Sequence, residues 1–139
     1  MITKKMGSTL VVRLDKGEEV VSSLLQVAQE QGITAASITG LGAADEACIS
    51  VLDPAIGNYV DHTLSCPMEI VSLVGSLSRR DGQPHAHLHI ALADSSFHVL
   101  GGHLKSARIS ITGEIMMQCL DGQIDRAFNP AIHIYEMQF

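Results

Sequence analysis

The stretch Glu18-Glu19-Val20-Val21-Ser22-Ser23-Leu24-Leu25-Gln26-Val27-Ala28-Gln29-Glu30-Gln31 is the one segment of this chain whose apolar residues recur at helical spacing. Val20, Val21, Leu24, Leu25, Val27 and Ala28 fall three and four apart, acids occupy the first turn, and Gly32 stands where a glycine ends a helix. Before it, residues 9–14 are rich in β-branched side chains and end at Asp15-Lys16-Gly17, which predicts a strand and a turn. After Gly32 the pattern is one of strands, over residues 33–39, 47–52, 59–64, 68–78, 87–93, a short piece at 98–100, 107–118 and 131–137. Breaks fall at Asp53-Pro54, Gly57-Asn58, Asp81-Gly82 and Asp121-Gly122. One main helix and about seven strands give an α+β domain, an α/β two-layer arrangement with a large, mainly antiparallel sheet, because the later connections are too short for helical crossovers. The apolar strand at 107–118 is more than one helix can cover, so part of the sheet is expected to be buried in an oligomer.

The 139 residues fit one domain, 1–139, and fifteen acids against nine bases leave a net charge of −6. At 46% hydrophobic residues the chain can bury a globular core, which excludes disorder as its main state. No apolar run reaches the roughly 18 to 20 residues that cross a bilayer, and Met1 to Lys5 leads into Met6-Gly7-Ser8 with no apolar signal region. The expectation is a soluble, unprocessed, cytoplasmic protein. Cys48, Cys66 and Cys119 are odd in number, widely spaced and never in a C-x-x-C pair, which argues against a disulfide framework and for a reducing compartment, with the thiols buried as small hydrophobes. No basic run exceeds Arg79-Arg80, which argues against a broad phosphate-tracking surface, and with no Trp and five Phe and Tyr the chain offers few stacking platforms, so only a local patch could serve nucleic acid.

Seven histidines are the unusual feature, five of them between residues 85 and 103. In Gly82-Gln83-Pro84-His85-Ala86-His87-Leu88-His89, positions i, i+2 and i+4 of a strand share a face and set imidazoles about 7 Å apart, close enough to converge on one cation. Three His ligands with an open fourth position suit a catalytic Zn²⁺. His103, in Gly101-Gly102-His103-Leu104, follows a short strand that can fold back beside the first, because the two glycines permit close approach. His87, His89 and His103 therefore rank first as ligands, and His85, directly after Pro84, ranks behind them. The alternative is that alternate histidines mark a solvated strand face or line a subunit interface as neutral polar groups. His62, His98 and His133 stand singly and read as surface or packing residues.

Gly40-Leu41-Gly42-Ala43-Ala44-Asp45 begins like a dinucleotide fingerprint, but Asp stands at the third glycine position and no helix follows, so it reads as a tight sheet turn. Glu69, Glu114 and Arg13 are charges within apolar strands, either facing outward or paired in a site. Nucleophilic catalysis finds no support, with neither G-x-S-x-G nor S-x-x-K present.

Pro84-His85-Ala86-His87-Leu88-His89, Ala93-Asp94, Gly101-Gly102-His103-Leu104 and Thr112-Gly113-Glu114-Ile115 resemble the plants-and-prokaryotes-conserved (PPC) domain. Val12-Arg13-Leu14 with Gly17-Glu18, the Gly40-Leu41-Gly42-Ala43 segment and Met68 to Ser76 resemble it in the same order, so the likeness runs almost end to end. The resemblance implies a mostly antiparallel central sheet, a homotrimer, and a zinc or other divalent-metal site at His87, His89 and His103. It also carries a DNA-binding label, which comes from plant proteins whose domain accompanies an Arg-Gly-Arg-Pro hook; this chain has no such motif. The resulting expectation is a metal-binding homotrimer whose site is open to water or a small anionic ligand. If it is an enzyme, the metal would act on a small molecule with Glu114 or Glu69 as general base and Arg13 holding an anionic group. The rival is a DNA-associated or transcription-related interaction module.

Overall fold

A computed structural model describes residues 1–139. Its elements are β1 (Ile2–Met6), β2 (Thr9–Asp15), α1 (Val20–Gln31), β3 (Ala36–Asp53), β4 (Asn58–Leu64), β5 (Met68–Arg80), β6 (Gln83–Ala93), β7 (Val99–Cys119), β8 (Asp125–Asn129) and β9 (Ile134–Gln138). The helix is capped by Glu19, whose backbone is extended and whose carboxylate accepts hydrogen bonds from the Val21 and Ser22 amides at 2.9 and 2.7 Å. The two acids thus stand at the cap and before it, not inside the first turn as the pattern suggested. Glu19 Oε1 also accepts from the Ala107 amide at 3.1 Å, which fastens the start of α1 to β7. At the other end Gly32 adopts the left-handed conformation and donates to the carbonyls of Ala28 and Gln29. Val20, Leu24, Val27 and Ala28 are buried, so the apolar stripe lies on the sheet across β6 and β7.

All nine strands belong to one sheet, ordered β1-β2-β7-β3-β5-β8-β9, with β4 on β3 and β6 joined to both β5 and β7. The first part of β3 pairs with β5 and its last part with β4, while β7 runs along nearly all of its other edge. β5 pairs with β6 along its length, and β6 pairs in turn with the first residues of β7. The pairings β3–β5–β6–β7–β3 therefore close on themselves, all antiparallel. One parallel pairing exists, β5 with β8, over Arg79↔Asp125 and Arg80↔Arg126. The core gathers Leu14, Leu24, Ile38, Leu73, Leu77, Leu88, Leu92, Ile109, Ile115 and Met117, each almost fully buried. Each such leucine or isoleucine contributes about 1.5–3 kcal/mol of apolar transfer.

The fold class is as expected, with differences in the strands that have physical reasons. β1 is an edge strand carrying Lys4 and Lys5, fully exposed and held only to β2, so it shows no apolar alternation. The pieces at 33–39 and 47–52 are one strand of 18 residues, because Gly40 to Asp45 does not turn. β3 stays hydrogen-bonded on both edges there, and the glycines absorb the change as register shifts between Gly40 and Gly42 and between Gly42 and Ala44. The pieces at 98–100 and 107–118 likewise merge into β7, and the segment at 131–137 contributes only β9, with β8 before it unforeseen. The cysteines are free, but Cys48 and Cys119 are only half-buried and Cys66 is exposed.

In β7, Ala107, Ile109, Ile115 and Met117 point into the core while Ile111 and Met116 point out. Ile111 is 71% exposed, and with Leu41 and Val71 it forms an apolar strip that one chain leaves uncovered. No helix is long and apolar enough to cross a membrane.

Replacing Glu19 with Ala removes both the helix cap and the tie to Ala107. The expected loss is about 1–2 kcal/mol of unfolding free energy in urea denaturation at unchanged m-value.

Candidate metal centre

His87 and His89 stand two apart on β6 and so share a face, and the register of β6 with β7 sets His103 directly opposite His89. The three rings lean together, with centroids 5.5 Å apart for His87–His89, 5.3 Å for His87–His103 and 5.7 Å for His89–His103. One ring nitrogen from each lies within 4.8 Å of the other two. Close backbone packing fixes this meeting. A Cβ on Gly75 would fall 2.0 Å from the His87 carbonyl oxygen, and one on Gly102 would fall 2.6 Å from that of Ser50. Only glycine lets β5 lie so close against His87 and β7 so close against β3 beside His103.

Burial disfavours the charged form of His87 and of His103. Desolvation, and then the Arg126 guanidinium and the neighbouring histidines, push His87 down to about 4 from its ordinary 6.5. His103 is lowered by desolvation, then by His89 and Lys105, with Asp61 acting in the opposite sense. Neutral imidazole is the form that ligates a metal. His103 Nδ1 is the single buried side-chain nitrogen or oxygen without a hydrogen-bond partner. A buried nitrogen left orphaned within three converging imidazoles is the donor set that a divalent transition metal takes, so the residues fit such an ion.

The Plants and Prokaryotes Conserved (PCC) domain matches residues 1–121. The chain belongs to that family. Among solved structures, a candidate DNA-binding protein from Bacteroides thetaiotaomicron superposes with TM-score 0.95 at 33% identity, covering 99% of this chain and 96% of that one. A metal-containing protein from Archaeoglobus fulgidus superposes with TM-score 0.87 at 30% identity, covering 100% and 99%. A plant- and prokaryote-conserved protein from Pyrococcus horikoshii shares the fold with TM-score 0.86 at 24% identity, covering 99% and 95%. The bifunctional protein GlmU of Synechococcus sp. (strain JA-3-3Ab) is 31% identical over 129 residues, 91% of this chain. The chain spans 20% of the length of that curated relative.

Within this PCC domain the other expected site residues lie apart from the histidines. Glu69 begins β5 opposite Ala93, seven residues or roughly 23 Å of extended strand from Ser76, the partner of His87. Glu114 and Arg13 face each other across β7 and β2 at the far end of the sheet, where Arg13 is half-exposed and paired with Asp15 at 3.1 Å. The chain thus brings neither Glu69, Glu114 nor Arg13 to the triad; the carboxylate whose charge reaches His103 is that of Asp61, which accepts a hydrogen bond from Ser50, the β3 partner of His103. His85 does lie in the strand, since β6 starts at Gln83, but it stays outside the cluster and lines the adjoining cleft. That cleft, of about 250 Å³, is walled by Tyr59, Arg80, His85, Lys105, Arg126 and Tyr135, and it also touches His87 and His103. Arg126 and Tyr135 had no local signal in the sequence, because a two-residue parallel pairing brings them in from β8 and β9. Arg80 was visible as half of the basic pair Arg79-Arg80, and its register with Arg126 was not.

The folded chain holds His87 below the value it has when unfolded, so the unfolded state takes up protons first on acidification. The stability this group contributes is intact above pH 6.5 and is lost as pH falls toward about 4. In chelated protein, unfolding free energy should decline across that window, and His87→Ala should decline less steeply by urea denaturation at each pH.

Proposed function

We propose that this PCC-domain protein is a metal-binding homotrimer in which His87, His89 and His103 hold one divalent cation, zinc, with a position open to water or a small anionic ligand. The observation that carries the reading is the convergence of three imidazoles, one of which, His103, has a buried Nδ1 without a hydrogen-bond partner. The metal-containing relative from Archaeoglobus fulgidus supports it. When bound, zinc supplies Lewis acidity toward an oxygen of a small molecule. The chain itself contributes three imidazoles, of which His87 and His103 are held toward the neutral form by burial, and a cleft beside them. The exposed strip of Leu41, Val71 and Ile111 supports association of subunits through a sheet face. Protein purified without affinity tag or chelator should carry close to one equivalent of a single metal by plasma mass spectrometry and sediment as a trimer. His87→Ala should lose the metal, and metal retained at the same stoichiometry in both His87→Ala and His103→Ala would refute the site.

The second reading is a DNA-associated module, favoured by the relatives from Bacteroides thetaiotaomicron and Ralstonia eutropha, each described as a candidate DNA-binding protein. A net charge of −6 weighs against it. Fluorescence anisotropy with an A·T-rich duplex at two salt concentrations should show no binding even at low salt; saturable binding with a steep salt slope would favour the module instead.

A further inference from the structure

Arg126 and Arg80 are register partners on adjacent strands, an arrangement in which like charges repel. No acid relieves it inside the cleft. Arg80 meets only Asp81, at 3.6 Å on an aspartate 77% exposed, and Arg126 makes no ion pair. Arg126 is half-buried, donating through Nε to Ser78 Oγ at 2.8 Å and through Nη1 to the Tyr135 carbonyl at 3.2 Å. A guanidinium has five N–H groups in a fixed fork, and the rest find no acceptor from the chain. Arg80 is held by stacking on the Tyr135 ring, its Cζ 3.5 Å from the centroid. Lys105 stands on the same wall, its Nζ 3.6 Å from Asp61 Oδ1, and neither Asp nor Glu is among the residues that line the cleft. In a protein with net charge −6, three cations gathered around one cleft of about 250 Å³ without a lining carboxylate form a local field that draws an anion. The uncovered edge of Arg126 is shaped for two oxygens of one group.

We propose that this cleft is a receptor for the oxyanion, carboxylate or phosphate, of a small molecule, anchored by Arg126 with Arg80 and Lys105 and seated against Tyr59 and Tyr135. The proposal rests on the reading of the histidines as a metal site only in placing the ligand beside them. It assigns recognition to Arg126 and Tyr135, which lie beyond the part of the chain that the family match covers.

The test is calorimetric titration of the purified trimer with inorganic phosphate and, separately, with malonate, beside metal analysis of every preparation. At least one probe should bind saturably, weakening tenfold or more in Arg126→Gln and about threefold in Lys105→Gln, with metal content unchanged in both. Because Arg126 also ties β8 to Ser78, Lys105→Gln keeps the test valid should Arg126→Gln fail to fold. Binding of phosphate alone identifies a phosphate ligand, malonate alone a carboxylate, and comparable binding the shared oxyanion chemistry. Binding that survives in chelated or metal-free protein supports the receptor even if the metal reading fails. Two results overturn it: no binding of either probe, or binding that vanishes on chelation yet is unchanged in Arg126→Gln and Lys105→Gln.

Discussion

The first residues of β7 are shared by two neighbours, and the rest of the structure depends on that sharing. His103 is held in register with His89 on one side and with Ser50 of β3 on the other. Neither strand can slip by one residue without turning every side chain of that strand to the opposite face. The closed circuit of β3, β5, β6 and β7 thus converts a local alternation on β6 into a fixed three-dimensional cluster. The buried leucines of β5 and β6 hold that circuit from inside, so the histidines are positioned by the same packing that stabilises the fold.

Charge is sorted across the molecule. No acid lines the cleft, although Asp81 pairs with Arg80 and Asp61 with Lys105, and three of the chain's few cations converge on one side of the histidines. The same proximity helps to keep His87 and His85 unprotonated, because a positive neighbour disfavours a second positive charge. Anion attraction and the neutrality of the imidazoles therefore share a cause, and Arg126 contributes to both.

Much of this was legible in the sequence where the signal is local. Helix α1 announces itself through its apolar spacing and Gly32. His87 and His89 need only strand periodicity, and Gly101-Gly102-His103 marks a strand that must approach its neighbours closely. What escaped depends on pairings distant along the chain. Charges such as Arg13, Glu69 and Glu114 in apolar strands show that one face is wet, but not which part of the sheet that face shares with the histidines. β8 reaches β5 through two residue pairs, too few to leave a periodic pattern, and so Arg126 could not be placed. Gly40 to Asp45 imitates a turn because a bulge and a turn both use glycine, and only hydrogen bonding on both edges separates them.

That slender attachment of β8 makes the two sides of the cleft mechanically unlike. The histidine side is built into a ring of long strands and can open only with the global fold. The side bearing Arg126 and Tyr135 is a short hairpin whose ladder to β5 consists of Arg79↔Asp125 and Arg80↔Arg126, so it can open locally at a lower free energy than the ring of long strands. One wall is rigid and the other compliant, so molecules of different bulk can be admitted without disturbing the imidazoles.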